Sequence, residues 1–169
     1  DPPHFVNVLR VHLEGVNYAR QQQVIEQLDA AYDFRGIGID CGNNGRAVAH
    51  QLMMRGPEWC EKVRGIEFGG AVELEPLPDG TRPRRRAKEF MTELLRRRLS
   101  ERTIVFPPSA DRESQYASHT YSVGAGGQVV YAKGDDHIID ADRCAVLCHY
   151  QDTAEAEAPP PLGVRVAAF

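Results

Sequence analysis

The chain has 169 residues, a formal net charge of −4 at neutral pH and 42% hydrophobic residues. This length fits one domain with a sizeable core, and no stretch approaches the roughly 20 apolar residues that a membrane-spanning helix needs. Four scattered cysteines argue against a disulfide framework, and the lack of a Cys-x-x-Cys pair argues against a zinc site.

The first half of the chain predicts strands that alternate with helices. Rough alternation and β-branched side chains predict a strand over residues 5–13. Apolar residues at three- and four-residue spacing predict a helix from Arg20 to Tyr32. The apolar run from Arg35 to Asp40 is typical of a buried parallel strand, and a glycine loop and a helix from Arg46 to Arg55 follow it. We expect a further strand from Lys62 to Phe68.

The second half continues in the same way. We expect a long basic helix from Arg84 to Leu99, a short strand from Thr103 to Phe106, and irregular structure over the polar residues 109–119. A hairpin from Tyr121 to Tyr131 then leads into a final helix from Asp136 to Tyr150. Strands alternating with helices predict an α/β fold, in which helices cover a mixed or parallel sheet.

Acidic side chains follow two of the predicted strands. The run of residues 134–143, Gly-Asp-Asp-His-Ile-Ile-Asp-Ala-Asp-Arg, puts Asp136 and Asp140 one turn apart on one helix face. Like charges at that spacing repel, so we expect a compensating divalent cation, and the alternative is a simple helix cap. Asp40 ends another strand, and ligands gather at the carboxyl ends of strands in α/β sheets. These positions predict one site.

Basic residues concentrate between Arg82 and Arg102, where nine arginine and lysine side chains face only three glutamates. A dense basic segment in an acidic chain is typical of a protein that handles a polyanion. The alternative interpretation is a solvated helix face.

Three segments carry a resemblance to a known family. The first is Gly-Ile-Gly-Ile-Asp-Cys-Gly-Asn-Asn-Gly-Arg-Ala-Val-Ala-His-Gln-Leu, over residues 36–52. The second is the basic helix that leads into Thr-Ile-Val-Phe-Pro-Pro, and the third is Tyr-Ala-Lys-Gly-Asp-Asp-His-Ile-Ile-Asp-Ala-Asp-Arg. Over residues 5–150 the order and spacing resemble the C-terminal nuclease domain of viral large terminase subunits. The third segment is close to that family's closing Asp-His-x-x-Asp-Ala-x-Arg pattern.

The resemblance implies a ribonuclease H-like fold, a mixed sheet flanked by helices, over residues 1–152, with residues 153–169 as a linker or tail. It implies cleavage of double-stranded DNA with two Mg²⁺ or Mn²⁺ ions. The family's second acidic ligand falls on Asp40, and its third falls on Asp140 or Asp136. We expect His137 to orient a ligand or the attacked phosphate.

The resemblance also implies partners. We expect salt-sensitive binding of DNA phosphates by the basic residues Arg84, Arg85, Arg86 and Lys88, with Lys133 nearer the acids. The family's ATPase motor is absent from this chain, since no G-x-x-x-x-G-K-[ST] loop occurs in it. The resemblance implies that the full-length protein carries that motor. It is expected to meet the small terminase subunit and the portal in the cytoplasm of an infected host cell, without a membrane.

The chain departs from the family at its start. The family's first catalytic aspartate ends a strand upstream of a segment like residues 5–13, and here little more than Asp1 and two prolines precede it. A site that lacks one carboxylate binds hard cations less tightly, so we expect the isolated fragment to cut DNA poorly.

Three alternatives remain. One is another ribonuclease H-like nuclease, such as a Holliday-junction resolvase. Another is a non-catalytic module that docks DNA or a motor. The third is an actin-like ATPase or sugar kinase, whose phosphate loop resembles Gly-Ile-Asp-Cys-Gly-Asn-Asn-Gly.

Overall fold

The computed structural model describes residues 5–42, 44–132 and 134–157, which form helices and short strands of an α/β protein. In chain order the elements are β1 (Phe5–Val6), α1 (Tyr18–Tyr32), β2 (Ile37–Asp40), α2 (Gly45–Met53), α3 (Pro57–Lys62), β3 (Val63–Ile66), β4 (Ala71–Glu73), β5 (Arg84–Arg86), α4 (Ala87–Ser100), β6 (Ile104–Val105), α5 (Ala110–Ser118), β7 (Tyr121–Val123), β8 (Val129–Tyr131) and α6 (His137–Glu157). The α/β class expected from the sequence is confirmed.

The centre of the fold is the parallel pair of β2 and β3, in which Ile37 lies opposite Val63 and Asp40 lies opposite Ile66. Helices cover both faces of this pair. One face packs on α2 around Leu52, which is completely buried, and the other packs on α6 and α4. The packing of helices on both faces explains why β2 has no polar residue before Asp40.

Glycines in β2 let α6 approach the strand closely. A side chain carbon at Gly38 would lie 2.8 Å from the Cys148 Sγ and 3.1 Å from the Cys144 carbonyl oxygen. At Gly36 the same atom would lie 3.4 Å from the Asp152 carboxylate. In the Gly-Ile-Gly-Ile segment, the two isoleucine side chains therefore point to one face of the strand pair. The glycines leave the other face without side chains, so that α6 can pack closely against it.

The strands of the described residues form four separate two-stranded sheets rather than one. Two pairs are parallel, β1 with β6 and β2 with β3, and two are antiparallel, β4 with β5 and β7 with β8. The mixture of directions agrees with the sequence expectation, but a continuous mixed sheet is not present in these parts of the chain.

Three predicted elements differ from the observed ones. The strand expected over residues 5–13 contains only Phe5 and Val6. Its partner β6 is equally short, because Pro107, which has no backbone N–H to donate, follows it closely. Residues 109–119 were expected to be irregular but contain α5, because the Ser109 hydroxyl caps the helix by accepting from the Arg112 N–H.

The third difference lies in the basic segment. Arg84, Arg85 and Arg86 were expected in a helix but form β5, which pairs with β4 so that Glu73 lies opposite Arg84. The helix itself begins at Ala87, and of its four predicted buried residues Phe90, Leu94 and Leu95 are buried, together with Met91. The fourth, Leu99, was expected to be buried but is exposed in the last turn of the helix.

The other predicted elements are confirmed within a few residues: α1, β2, α2, β3, β6 and the hairpin of β7 and β8. Helix α6 continues to Glu157, beyond the point at which a tail was expected to begin, and residues 158–169 lie outside the described residues. In the described part of the chain, no helix combines the length and apolar character needed to cross a bilayer.

Candidate functional site

A groove of about 640 Å³ runs between β2 and α6 and brings three predicted site residues together. Asp40 lies at the carboxyl end of β2, and His137 and Asp140 lie in the first turn of α6. Because α6 packs along β2, the start of the helix and the end of the strand meet at the same end of the groove. Asp136 is not among the residues that line it.

The Asp40 carboxylate is held by the loop that follows β2. Its Oδ1 accepts a 2.8 Å hydrogen bond from the Gly42 N–H. The loop folds back so tightly that a side chain carbon at Gly45 would lie 1.7 Å from the Asp40 carbonyl oxygen. Only glycine fits there, so the glycine loop has a structural role in fixing the strand end that carries Asp40.

The Asp140 carboxylate lies half-buried against two cations. Its Oδ1 accepts a 2.5 Å hydrogen bond from Arg143 Nη1 and lies 3.9 Å from Lys88 Nζ. Burial raises the pKa of Asp140, and the neighbouring Arg143 and Lys88 oppose that rise. No described residue donates a hydrogen bond to the other carboxylate oxygen, Oδ2.

Lys88 compensates the charge of the two acids that face one side of α6. Its Nζ lies 3.2 Å from Asp136 Oδ2, and the ammonium also sits over the rings of Phe68 and Tyr131. The repulsion between Asp136 and Asp140 was expected to require a divalent cation. An ammonium from α4 supplies compensating charge in the structure, so the repulsion alone does not require a divalent cation, and the cation stays a prediction.

Arg143 is completely buried beside Asp140 and uses its nitrogens on three different partners. Besides Asp140, its Nε donates to the Thr92 hydroxyl at 2.9 Å, and its Nη2 lies 2.6 Å from His119 Nε2. Burial lowers the pKa of His119, and the charge of Arg143 lowers it further, which favours the neutral imidazole.

His137 lies at the mouth of the groove, and its side chain is 93% exposed. Its Nε2 is 3.9 Å from Asp135 Oδ1. An imidazole in this position is free to meet a ligand that enters the groove.

The fourth acid of the run, Asp142, faces away from the groove. Its carboxylate accepts two hydrogen bonds from Arg112 and one from the Tyr116 hydroxyl, and the side chains of Asp142 and Arg112 are both only 8% exposed. With both oxygens occupied, Asp142 holds α5 to α6 and has no capacity for a further ligand.

The predicted DNA contacts fall into two places. Arg84 and Arg86 are exposed on β5, each within 4 Å of a glutamate, and Arg85 is bound to Glu93. Lys88 lies at the acids instead of on this surface. Lys133 lies outside the described residues.

Two thiols line the wall of the groove. Burial raises the pKa of Cys144 and raises that of Cys148 to about 11, so both thiols are protonated at neutral pH. They serve packing against β2 and are poor metal ligands in this state.

The donor chemistry of the groove suits a hard cation. Mg²⁺ and Mn²⁺ prefer carboxylate oxygens, and Mg²⁺ is held by one or two carboxylates while water and substrate phosphate complete its shell. Asp40 and Asp140 fit that pattern. Among the described residues, no three or more His, Cys, Asp or Glu side chains form a group that could hold a metal ion. Water and substrate would therefore have to supply the other ligands of a cation at Asp40 and Asp140.

Sequence reasoning missed the residues that surround Asp140. Arg143 stands in the Asp-x-x-Arg part of the closing segment, and this spacing is a local signal for an ion pair on one helix face. Thr92 and His119 come from α4 and from the residue after α5, and no local pattern links them to α6.

Comparisons with models of protein families, with curated proteins and with solved structures found no match. The function proposed for the chain therefore rests on its own residues, their geometry and the resemblance of its sequence segments.

Proposed function

We propose that the chain is the nuclease domain of a viral DNA-packaging terminase, with a ribonuclease H-like fold, and that it cleaves double-stranded DNA with Mg²⁺ or Mn²⁺. The observation that carries this proposal is the groove that Asp40, from the end of β2, and Asp140, from the start of α6, both line. Residues far apart in the sequence provide hard oxygen ligands at a strand end, the usual ligand position in α/β proteins.

Asp40 and Asp140 would hold the cation, and each is prepared for this by its neighbours. The Gly42 N–H and the Arg143 guanidinium each occupy one oxygen of a carboxylate, which leaves the second oxygen of each for a ligand. A bound divalent cation supplies charge neutralisation at the scissile phosphate and lowers the pKa of an attacking water. His137, exposed at the mouth of the groove, is placed to donate a hydrogen bond to a phosphate oxygen.

The exposed arginines of β5 supply the binding of the DNA backbone. Arg84 and Arg86 have side chains that are 66% exposed, and their glutamate partners lie at 3.8 to 3.9 Å, too far for strong pairing. Contacts of this kind fix position without reading sequence and weaken as salt rises.

The wider assignment follows from the same proposal. An ATPase motor in the full-length protein, the small terminase subunit and the portal are the partners, and the cytoplasm of the infected host cell is the location. The resemblance of the closing segment, and of the strand that ends at Asp40, to the terminase family supports these assignments.

A second function, a non-catalytic module that docks DNA or a motor, is favoured by one observation. Lys88 and Arg143 already neutralise the acids at the start of α6 without any metal ion. If these acids serve only to stabilise the fold, no metal ion would bind to them.

Cleavage of supercoiled plasmid distinguishes the two functions. The protein in its natural length is incubated with plasmid and Mn²⁺, and Asp40→Asn and Asp140→Asn are compared with it. We expect each substitution to slow cutting by at least about 100-fold, because even the loss of a residue behind a metal ligand costs 10–100-fold.

Asp111→Asn is the matched control, since this acid lies on α5 and pairs with Arg10 away from the groove. Equal cutting by all four proteins would remove the nuclease assignment. DNA binding without any cutting by the unsubstituted protein would support the docking module.

A further inference from the structure

We infer that Arg143 is a positioning residue of the site: its guanidinium, anchored by Thr92 and His119, fixes the Asp140 carboxylate so that one oxygen points to a bound cation. This inference deepens the proposed function and rests on it. It concerns a residue that does not line the groove and acts only through Asp140.

The charged guanidinium of Arg143 is buried. Arg143 has no exposed surface, and removing an arginine from water is costly unless each donor finds a partner. Its Nε, Nη1 and Nη2 meet Thr92, Asp140 and His119 respectively. The Tyr131 ring lies 5.3 Å from the guanidinium carbon and closes one face. The side chain therefore has one well-defined orientation.

The hydrogen bonds around Arg143 have a defined direction. An arginine only donates, so the His119 Nε2 must accept, which requires the neutral tautomer with its proton on Nδ1. The Thr92 hydroxyl accepts from Arg143 and donates to the Lys88 carbonyl oxygen at 2.6 Å. Thr92 is thus held on α4, and the His119 ring stacks on Tyr131, so the guanidinium is fixed relative to α4.

Helix α6 carries a second carboxylate paired with a buried arginine, Asp142, with which Asp140 can be compared. Arg112 occupies both oxygens of Asp142, and Tyr116 adds a further hydrogen bond, which is what a structural ion pair requires. Arg143 occupies only Oδ1 of Asp140, and no described residue donates to Oδ2. A buried guanidinium that leaves one carboxylate oxygen open at a groove orients a ligand, which is the role of the residues behind metal ligands.

The test measures Mn²⁺ affinity of the chain by the electron paramagnetic resonance of free Mn²⁺, with Arg143→Lys and Thr92→Val. Lysine keeps the charge but cannot meet three partners, and valine keeps the shape of Thr92 but removes the acceptor for Nε. We expect Mn²⁺ binding about ten-fold or more weaker in Arg143→Lys, and weaker to a smaller extent in Thr92→Val.

Arg112→Lys and Thr103→Val are the matched controls. Arg112→Lys weakens the other buried arginine–carboxylate pair of α6, and Thr103→Val removes a buried hydroxyl that bonds the Arg98 carbonyl oxygen. A merely structural Arg143 would lower the unfolding temperature, as Arg112→Lys does, without changing Mn²⁺ affinity. If Arg143→Lys does not fold, Thr92→Val decides.

Mn²⁺ affinity that is equal in the unsubstituted chain and in the folded variants of Arg143 and Thr92 overturns the positioning role and leaves the nuclease proposal intact. No Mn²⁺ binding by the unsubstituted chain overturns both. Weaker binding in these two variants, with both controls unchanged, supports the inference.

Discussion

At the scale of single residues, the four acids between residues 134 and 143 have four different environments. Asp135 is exposed, Asp136 pairs with Lys88, Asp140 faces the groove beside Arg143, and Asp142 is buried with Arg112. One acidic run therefore combines a candidate ligand, a charge-balanced neighbour and a structural anchor. Composition alone does not separate these roles, because each depends on which cation another element places nearby.

Asp142→Ala tests the structural anchor. Removing one partner of a buried ion pair leaves Arg112 as an unpaired buried charge, so we expect the free energy of unfolding to fall by about 3–5 kcal/mol. Urea denaturation followed by circular dichroism measures the change. Asp135→Ala, at an exposed site of the same run, should stay within about 0.5 kcal/mol. A loss below about 1 kcal/mol in Asp142→Ala would contradict the buried pair.

At the scale of elements, the packing of α6 on β2 decides where the candidate site lies. The bare glycine face of β2 brings the axis of α6 close, and the two elements then share a groove whose end carries Asp40 and Asp140. Gly36 and Gly38 thus help to position the carboxylates of Asp40 and Asp140, although neither glycine contacts them.

Gly38→Ala tests this packing. The added methyl group would lie 2.8 Å from the Cys148 Sγ and 3.1 Å from the Cys144 carbonyl oxygen, so the helix must shift. Overpacking of this kind typically costs about 1–3 kcal/mol, and we expect that loss in urea denaturation. Gly69→Ala, where a methyl group meets nothing within 4 Å, is the control. An equal stability of both variants would show that α6 does not pack on β2 in this way.

Elements with their own sequence signal could be predicted, and elements that depend on a distant partner could not. The apolar spacing of α1, α2 and α4 and the apolar run of β2 are local patterns. Arg84–Arg86 form a strand only because β4 offers an edge, and their charges resemble the helix that follows. The same limit applies to the site. Asp40 follows from a strand end, but Asp140 meets it through the packing of α6 on β2, because the strand that precedes α6 pairs with β7 in a separate sheet. Lys88 reaches Asp140 through the packing of α4 on α6.

At the scale of the whole molecule, charge of opposite sign is divided between two surfaces. The groove carries the acids at the end of β2 and the start of α6, and the exposed arginines lie on β5 ahead of α4. A polyanion is attracted to the arginines and repelled by the carboxylate of Asp40, because Asp140 already pairs with Arg143 and Lys88. The divalent cation proposed for Asp40 and Asp140 would remove that repulsion, so we expect productive DNA contact to depend on cation binding.

The most direct test of the cation site is titration of the ¹⁵N-labelled chain with Mn²⁺, followed by the paramagnetic broadening of amide signals. We predict that the amides of residues 40–42 and 137–141 broaden first, and that Asp40→Asn abolishes this selective loss. Broadening spread evenly over exposed acids such as Asp33 and Asp79, with no preference for the groove, would contradict a cation site between Asp40 and Asp140.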